Sequence, residues 1–145
     1  MKLAAAVVVA LVLAAAAAAA TQKRANACLR AHHVLTKPVA RKTVTRFGVR
    51  VLQIESFSFH GVPAKTYDNG TLIFERDAKT AAQAQRTLYS RFAAYEIKHS
   101  NGKVGPYTIR LDLRRTETVI GNAVVIWNNY PQHAKAKAVL RGCLG

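Results

Sequence analysis

Residues 77–95, DAKTAAQAQRTLYSRFAAY, read as one amphipathic helix, and that reading decides the fold class. Asp77 stands where an N-cap belongs, ahead of an alanine- and glutamine-rich run. Ala81, Ala84, Leu88, Phe92 and Tyr95 recur at three- and four-residue spacing and form the core-facing stripe, which leaves Lys79, Gln83, Arg86 and Ser90 toward water.

Strand signals flank this helix on both sides. Upstream, Thr71 to Phe74 is a short strand with Leu72 and Phe74 on one face, and Gly61, Pro63 and Asp68-Asn69-Gly70 mark a turn before it. That turn follows Thr43 to Phe59, a long β-prone stretch. Phe47, Val49 and Val51 share a face there, Ile54 falls on the other and Phe57 returns to the first, so a bulge or bend is expected near Leu52.

Downstream, Asn101-Gly102 to Gly105-Pro106 is a turn, and Tyr107, Ile109, Leu111 and Leu113 then alternate with Thr108, Arg110, Asp112 and Arg114, one face dry and one wet. Arg115 to Thr118 reads as a connector. Ala123 to Trp127 is continuously apolar, as a central strand covered on both sides would be.

Two terminal helices complete the pattern. Thr21 to Ala31 carries Cys28 and Leu29 toward the core before Pro38 ends any helix. His133 to Arg141 places Ala136, Val139 and Leu140 on one side, with Gly142 as its expected stop and Cys143 just beyond. The order helix, hairpin, helix, hairpin, helix predicts an α+β fold: two layers, a mainly antiparallel sheet of about four strands, one long covering helix and short terminal helices.

The first 20 residues have a different character. Met1-Lys2, an apolar run from Leu3 to Leu13 and an alanine tract from Ala14 to Ala20 follow the charged, apolar, small-residue order of a secretory signal, with Ala18 and Ala20 offering the cleavage pattern. Retention as an anchor is disfavoured because a half-alanine span of roughly 18 residues partitions weakly into a bilayer. A lipoprotein cut before Cys28 is disfavoured by Lys23 and Arg24. The expectation is a signal peptide over 1–20 and one mature domain over 21–145, exported to the envelope or beyond. No linker or repeat divides the mature part.

Cys28 and Cys143 are the two cysteines, one near each end of that domain. An even pair in an exported chain predicts a disulfide. No other ligand type sits at metal-like spacing, so neither a metal nor another cofactor is expected.

The chain carries a formal charge of +15, and loss of Lys2 with the signal leaves 21 cationic side chains against 7 acids, or +14. Such an excess attracts anionic polymers or acidic proteins. The mixtures Arg46-Phe47, Tyr89-Ser90-Arg91-Phe92 and Tyr107 to Arg110 hint at nucleic acid, although packing explains most of the aromatics. The candidate anion-binding surface is Lys79 and Arg86 on the helix together with Arg110 and Arg114 on the wet strand face, provided that one side of the sheet is open.

Catalytic sets are thin. Acids such as Glu75, Asp77 and Asp112 sit beside or alternate with arginines, where charge balancing explains them, and Glu96 reads as an ion-pairing residue. His32 and His33 are neighbours whose side chains would project about 100° apart on a helix, while His60, His99 and His133 fall in turns or at element ends. The Asn69-Gly70-Thr71 triplet matches a glycosylation acceptor but is discounted, since alanine-rich signals of this kind are commoner in bacteria.

A cysteine near each end, the Gly121-Asn122-Ala123-Val124-Val125 segment with Trp127, and the closing Arg141-Gly142-Cys143-Leu144 resemble small exported bacterial proteins to which no activity is assigned. That resemblance implies export and transfers no functional residue. The functional expectation is therefore a non-catalytic basic module binding an anionic envelope component or partner. A small extracytoplasmic hydrolase, or a protein inhibitor or assembly partner, stands as the alternative.

Overall fold

The computed structural model describes residues 21–39, 53–59, 68–99, 117–128 and 133–145. Helix α1 is described over 21–31. It is followed by β1 (Val34–Pro38), β2 (Gln53–Phe59), β3 (Asn69–Phe74), α2 (Ala78–His99), β4 (Glu117–Ile120), β5 (Ala123–Trp127) and α3 (Ala134–Leu144). The strands form one antiparallel sheet in the order β1-β2-β3-β5-β4.

The α+β class, the antiparallel sheet and the long covering helix are as the sequence predicts, with five strands rather than about four. The period of two along each strand then divides the core. Ile54, Ile73, Val124 and Val119 are register partners across β2, β3, β5 and β4 and meet Ala81, Ala84 and Leu88 of α2. On the opposite face Val34, Phe57, Leu72, Phe74, Val125 and Trp127 meet Ala25 and Leu29 of α1 and Ala136, Leu140 and Leu144 of α3. The terminal helices thus add a third layer. Leu72, Ile73, Phe74, Val124 and Val125 are fully buried because helices cover both sides of β3 and β5; β5 is an interior strand, covered on both faces as its apolar run predicts, and β3 is the central one.

Phe57 and Trp127 oppose the two sides of Gly70 in the sheet, and their rings meet edge to face at 5.1 Å. A Cβ on Gly70 would come 2.0 Å from the Ile126 carbonyl oxygen and 2.9 Å from the Phe57 ring, so only glycine fits beneath that ring. The β4–β5 hairpin turns on Gly121-Asn122 with Gly121 at φ 56°, the left-handed first position of a type II′ turn.

Several boundaries differ from the sequence reading. Val34–Pro38 is an edge strand where no strand is predicted; Pro38 is tolerated because an edge leaves one side of the ladder unpaired. Glu117–Ile120 is a strand where a connector is predicted, formed by pairing with β5. Helix α3 runs through Gly142 to Leu144 and is capped by Gly145, whose N–H donates to the Arg141 carbonyl. A glycine inside the last turn is permitted there because tertiary contacts hold Leu140 and Leu144 in the core on either side of it. Of the long stretch Thr43 to Phe59 only β2 is described. The slip near Leu52 and the alternating run Tyr107 to Leu113 lie outside the described residues.

Candidate functional site

Asp77 caps α2 as the sequence predicts. Its Oδ1 accepts from the Thr80 backbone N–H at 2.7 Å and from the Thr80 hydroxyl at 2.8 Å. These bonds, with a further one from Arg76, hold the Asp77 carboxyl below its ordinary range. From that start, the helical period places Lys79, Gln83, Arg86 and Ser90 in solvent, as predicted. Lys79 and Arg86 are seven residues apart and share the outer face at a rise of about 10 Å.

Arg110 and Arg114, the other half of the predicted surface, lie outside the described residues. The described strands offer no open arginine-bearing sheet face, because helices cover both sides. Apart from Lys37 of β1 and Arg76 before α2, the cationic surface that the structure describes lies on helices, and the layer formed by α1 and α3 is its densest part. Lys23, Arg24 and Arg30 of α1 and Lys135 and Arg141 of α3 are exposed, Lys137 is half-buried, and neither helix contains an acid. Sequence reading missed this grouping because residues 23–30 and 135–141 are brought together only by the fold.

One bond fixes that layer. Cys28 and Cys143 form a disulfide with S–S 2.01 Å and Cα–Cα 5.5 Å across a separation of 115 residues. It joins the last turns of α1 and α3, as the even cysteine count predicts. His32 lies four residues after Cys28, and one of its ring nitrogens lies within 4.8 Å of both sulfurs. His32 and His33 fall past the last helical residue and both are exposed. His33 takes φ 60° as the chain leaves the helix, with its N–H donating to the Arg30 carbonyl. At the other end of α3, His133 is the N-cap, accepting at Nδ1 from the Lys135 N–H, while its own N–H donates to Asp68 at 2.9 Å.

The acids sit elsewhere. Glu55 points under α1, where Gln22 and Asn26 donate to its Oε1, the latter at 2.8 Å. It is 3% exposed, and its Oε2 has no partner among the described residues. The same Gln22 and Asn26, with Lys23, Ala27 and Arg30, line a depression of about 380 Å³ along α1. Glu75 is also 3% exposed, with Oε1 unpartnered. Burial pushes its carboxyl up from 4.5 to about 7; the Asp77 carboxylate adds to the rise and Arg76 opposes it. Glu75 therefore does not balance surface charge as its place beside Arg76 suggests. Asp68 is buried at the start of α3.

Asn69 of the glycosylation triplet lies within β3, and its side-chain oxygen accepts from Asn128 at 2.8 Å. Among the described residues, no helix is long and apolar enough to cross a membrane. No protein-family model, curated sequence or solved structure matches the chain.

Proposed function

We propose that the chain is an exported, non-catalytic module that binds an anionic polymer of the cell envelope through its cationic helix faces. The observation that carries this reading is the segregation of charge. Among the acids with described side chains, Glu55, Asp68 and Glu75 are buried, and Asp77 is engaged by Thr80 and Arg76. The outer faces of α1 and α3 carry only cations, so the surface field is stronger than interspersed charges would give. The disulfide supports export, since such bonds persist in oxidising compartments. It also holds the two cationic helices in one fixed arrangement, which lowers the cost of ordering the surface on binding.

The test is retention of the oxidised chain on immobilised polyphosphate and on isolated envelope fractions across a salt series. Binding by released counterions predicts retention that falls steeply with salt. Neutralising Lys23, Arg30, Lys135 and Arg141 together to glutamine lowers both retention and its salt dependence, and the Lys79→Gln/Arg86→Gln pair lowers them less. No retention at low salt overturns the reading. Retention that survives high salt transfers it to a specific protein partner.

One observation favours a hydrolase instead. A buried carboxyl titrating near neutrality is suited to general acid–base work. Glu75 would then be its acid, and Glu75→Gln would abolish an activity found by substrate screening while leaving polyanion retention intact.

A further inference from the structure

We infer that Cys28, His32 and Cys143 form a redox-gated site for one soft or borderline metal ion, closed in the disulfide form and open when the pair is reduced. The inference stands apart from polyanion binding, which concerns the oxidised chain.

The geometry is that of a three-ligand set. Cys28 lies in the last turn of α1 and His32 just past its end, where the His32 N–H still donates to the Cys28 carbonyl at 3.3 Å, and this brings sulfur and imidazole close together. Helix α3 brings the second sulfur. The ligand atoms of all three residues lie within 4.8 Å of one another. Two thiolates and an imidazole suit zinc or copper(I) and leave the fourth position of a tetrahedral ion for solvent. With metal–sulfur bonds of about 2.3 Å, the sulfurs separate to about 3.8 Å. Side-chain rotation supplies that separation while the backbones stay 5.5 Å apart at Cα.

Two effects of the surroundings oppose each other: the cations of α1 and α3 repel a metal ion, while the helix ends attract it. Cys28 and Cys143 lie in the final turns of α1 and α3, so both helices direct their negative ends toward the cluster. Arg30 and Arg141, each two residues from a cysteine, favour the thiolates that bind the ion, and both helix ends stabilise the bound cation. Access is open, since His32 is exposed and both cysteines are half-buried. The imidazole has no hydrogen-bond partner among the described residues, which leaves its nitrogens free to ligate.

The chemistry balances with a dithiol as reductant. The protein disulfide and one dithiol exchange to give two protein thiols and an oxidised dithiol. A divalent ion then displaces two protons as the thiolates bind. In the reverse exchange an oxidised dithiol accepts the two electrons and two protons and leaves as the dithiol, the protein disulfide re-forms and the ion is released.

The test is an anaerobic titration of the phosphine-reduced chain with cobalt(II), read by the thiolate-to-cobalt charge-transfer band, followed by competition with zinc. One ion per chain is expected for the reduced protein and none for the oxidised protein. His32→Ala leaves the oxidised chain's denaturation midpoint unchanged, because the ring is exposed, and weakens metal binding by at least about tenfold. Absence of the band in the reduced chain overturns the inference, as does unaltered affinity in His32→Ala. Where reduction unfolds the chain, circular dichroism decides: recovery of structure on adding zinc supports the site, and failure to recover overturns it.

Discussion

The two faces of the sheet are held by different physics. Beneath α1 and α3 lies a thick core of Phe57, Phe74 and Trp127 with Leu29 and Leu140, and a covalent bond ties the covering helices together. Beneath α2 the core is thin, with Ala81 and Ala84 bringing the helix close to Ile54, Ile73 and Val124. The reason is length. Helix α2 has 22 residues, a strong N-cap and enough turns to be stable once docked, whereas α3 has 11, below the roughly 12–15 residues at which an isolated helix becomes marginal. Short helices need large buried side chains and a crosslink. A long one can dock through alanine.

The largest expected effect breaks the thick face. Replacing both cysteines by serine removes a crosslink across 115 residues, for which the chain-entropy model assigns about 4–5 kcal/mol. Urea denaturation of the double variant beside wild type measures it. A loss under about 2 kcal/mol would show that packing of Leu29, Leu140 and Leu144 alone holds α1 and α3, and the contrast between the faces would then lie in side-chain size only.

The next effect concerns Glu75, where β3 leaves the sheet for α2. Its folded pKa of about 7 exceeds the ordinary 4.5, so the folded chain holds a proton that the unfolded chain has lost. That contribution to stability is complete below pH 4.5 and is lost as pH rises through 7. Glu75→Gln removes the titration. Relative to wild type, the variant gains about 3 kcal/mol between pH 4 and pH 8. Urea midpoints at pH 4, 6 and 8 read this directly, and a difference independent of pH would mean that the carboxyl titrates in the fold as it does in the unfolded chain.

Sequence reading found the thin face more readily than the thick one. The period of α2, the Asp77 cap, the apolar run of β5 and the cysteine pair are local or countable signals, and each is observed. Strands β1 and β4 are short edge strands without a strong period of their own; Leu35, Lys37 and Pro38 are all exposed, and pairing with a neighbour is what makes VLTKP a strand. The third layer was hidden because Ala25, Leu29, Ala136 and Leu140 mark apolar stripes without saying which side of the sheet they cover. Lys79 and Arg86 were legible from helical spacing. The grouping of α1 and α3 cations was not, since it depends on chain ends that meet only after folding. Glu55 and Glu75 are buried by what packs over them, which neighbours in sequence do not reveal. The Cys28–His32 pair was passed over in sequence, because the third member of the set lies 115 residues from Cys28.

The smallest effect sharpens the comparison from the side of α2. Asp77 accepts the Thr80 N–H and hydroxyl at the exposed start of the helix, so Asp77→Ala leaves that N–H to water and costs about 1 kcal/mol. It also removes the carboxylate that helps to raise the Glu75 pKa, which lowers that pKa and recovers part of the loss above pH 7. The variant is therefore less destabilised at pH 8 than at pH 6 in urea denaturation, both lying above the range in which the contribution of Asp77 itself is lost. Asp77→Asn separates the two effects, because asparagine caps nearly as well without the charge: it keeps the cap and shows the pH-dependent gain alone. Should both variants lose equal stability at every pH, the cap and the buried carboxyl act independently, and the start of α2 is anchored by packing of Ala81 and Ala84.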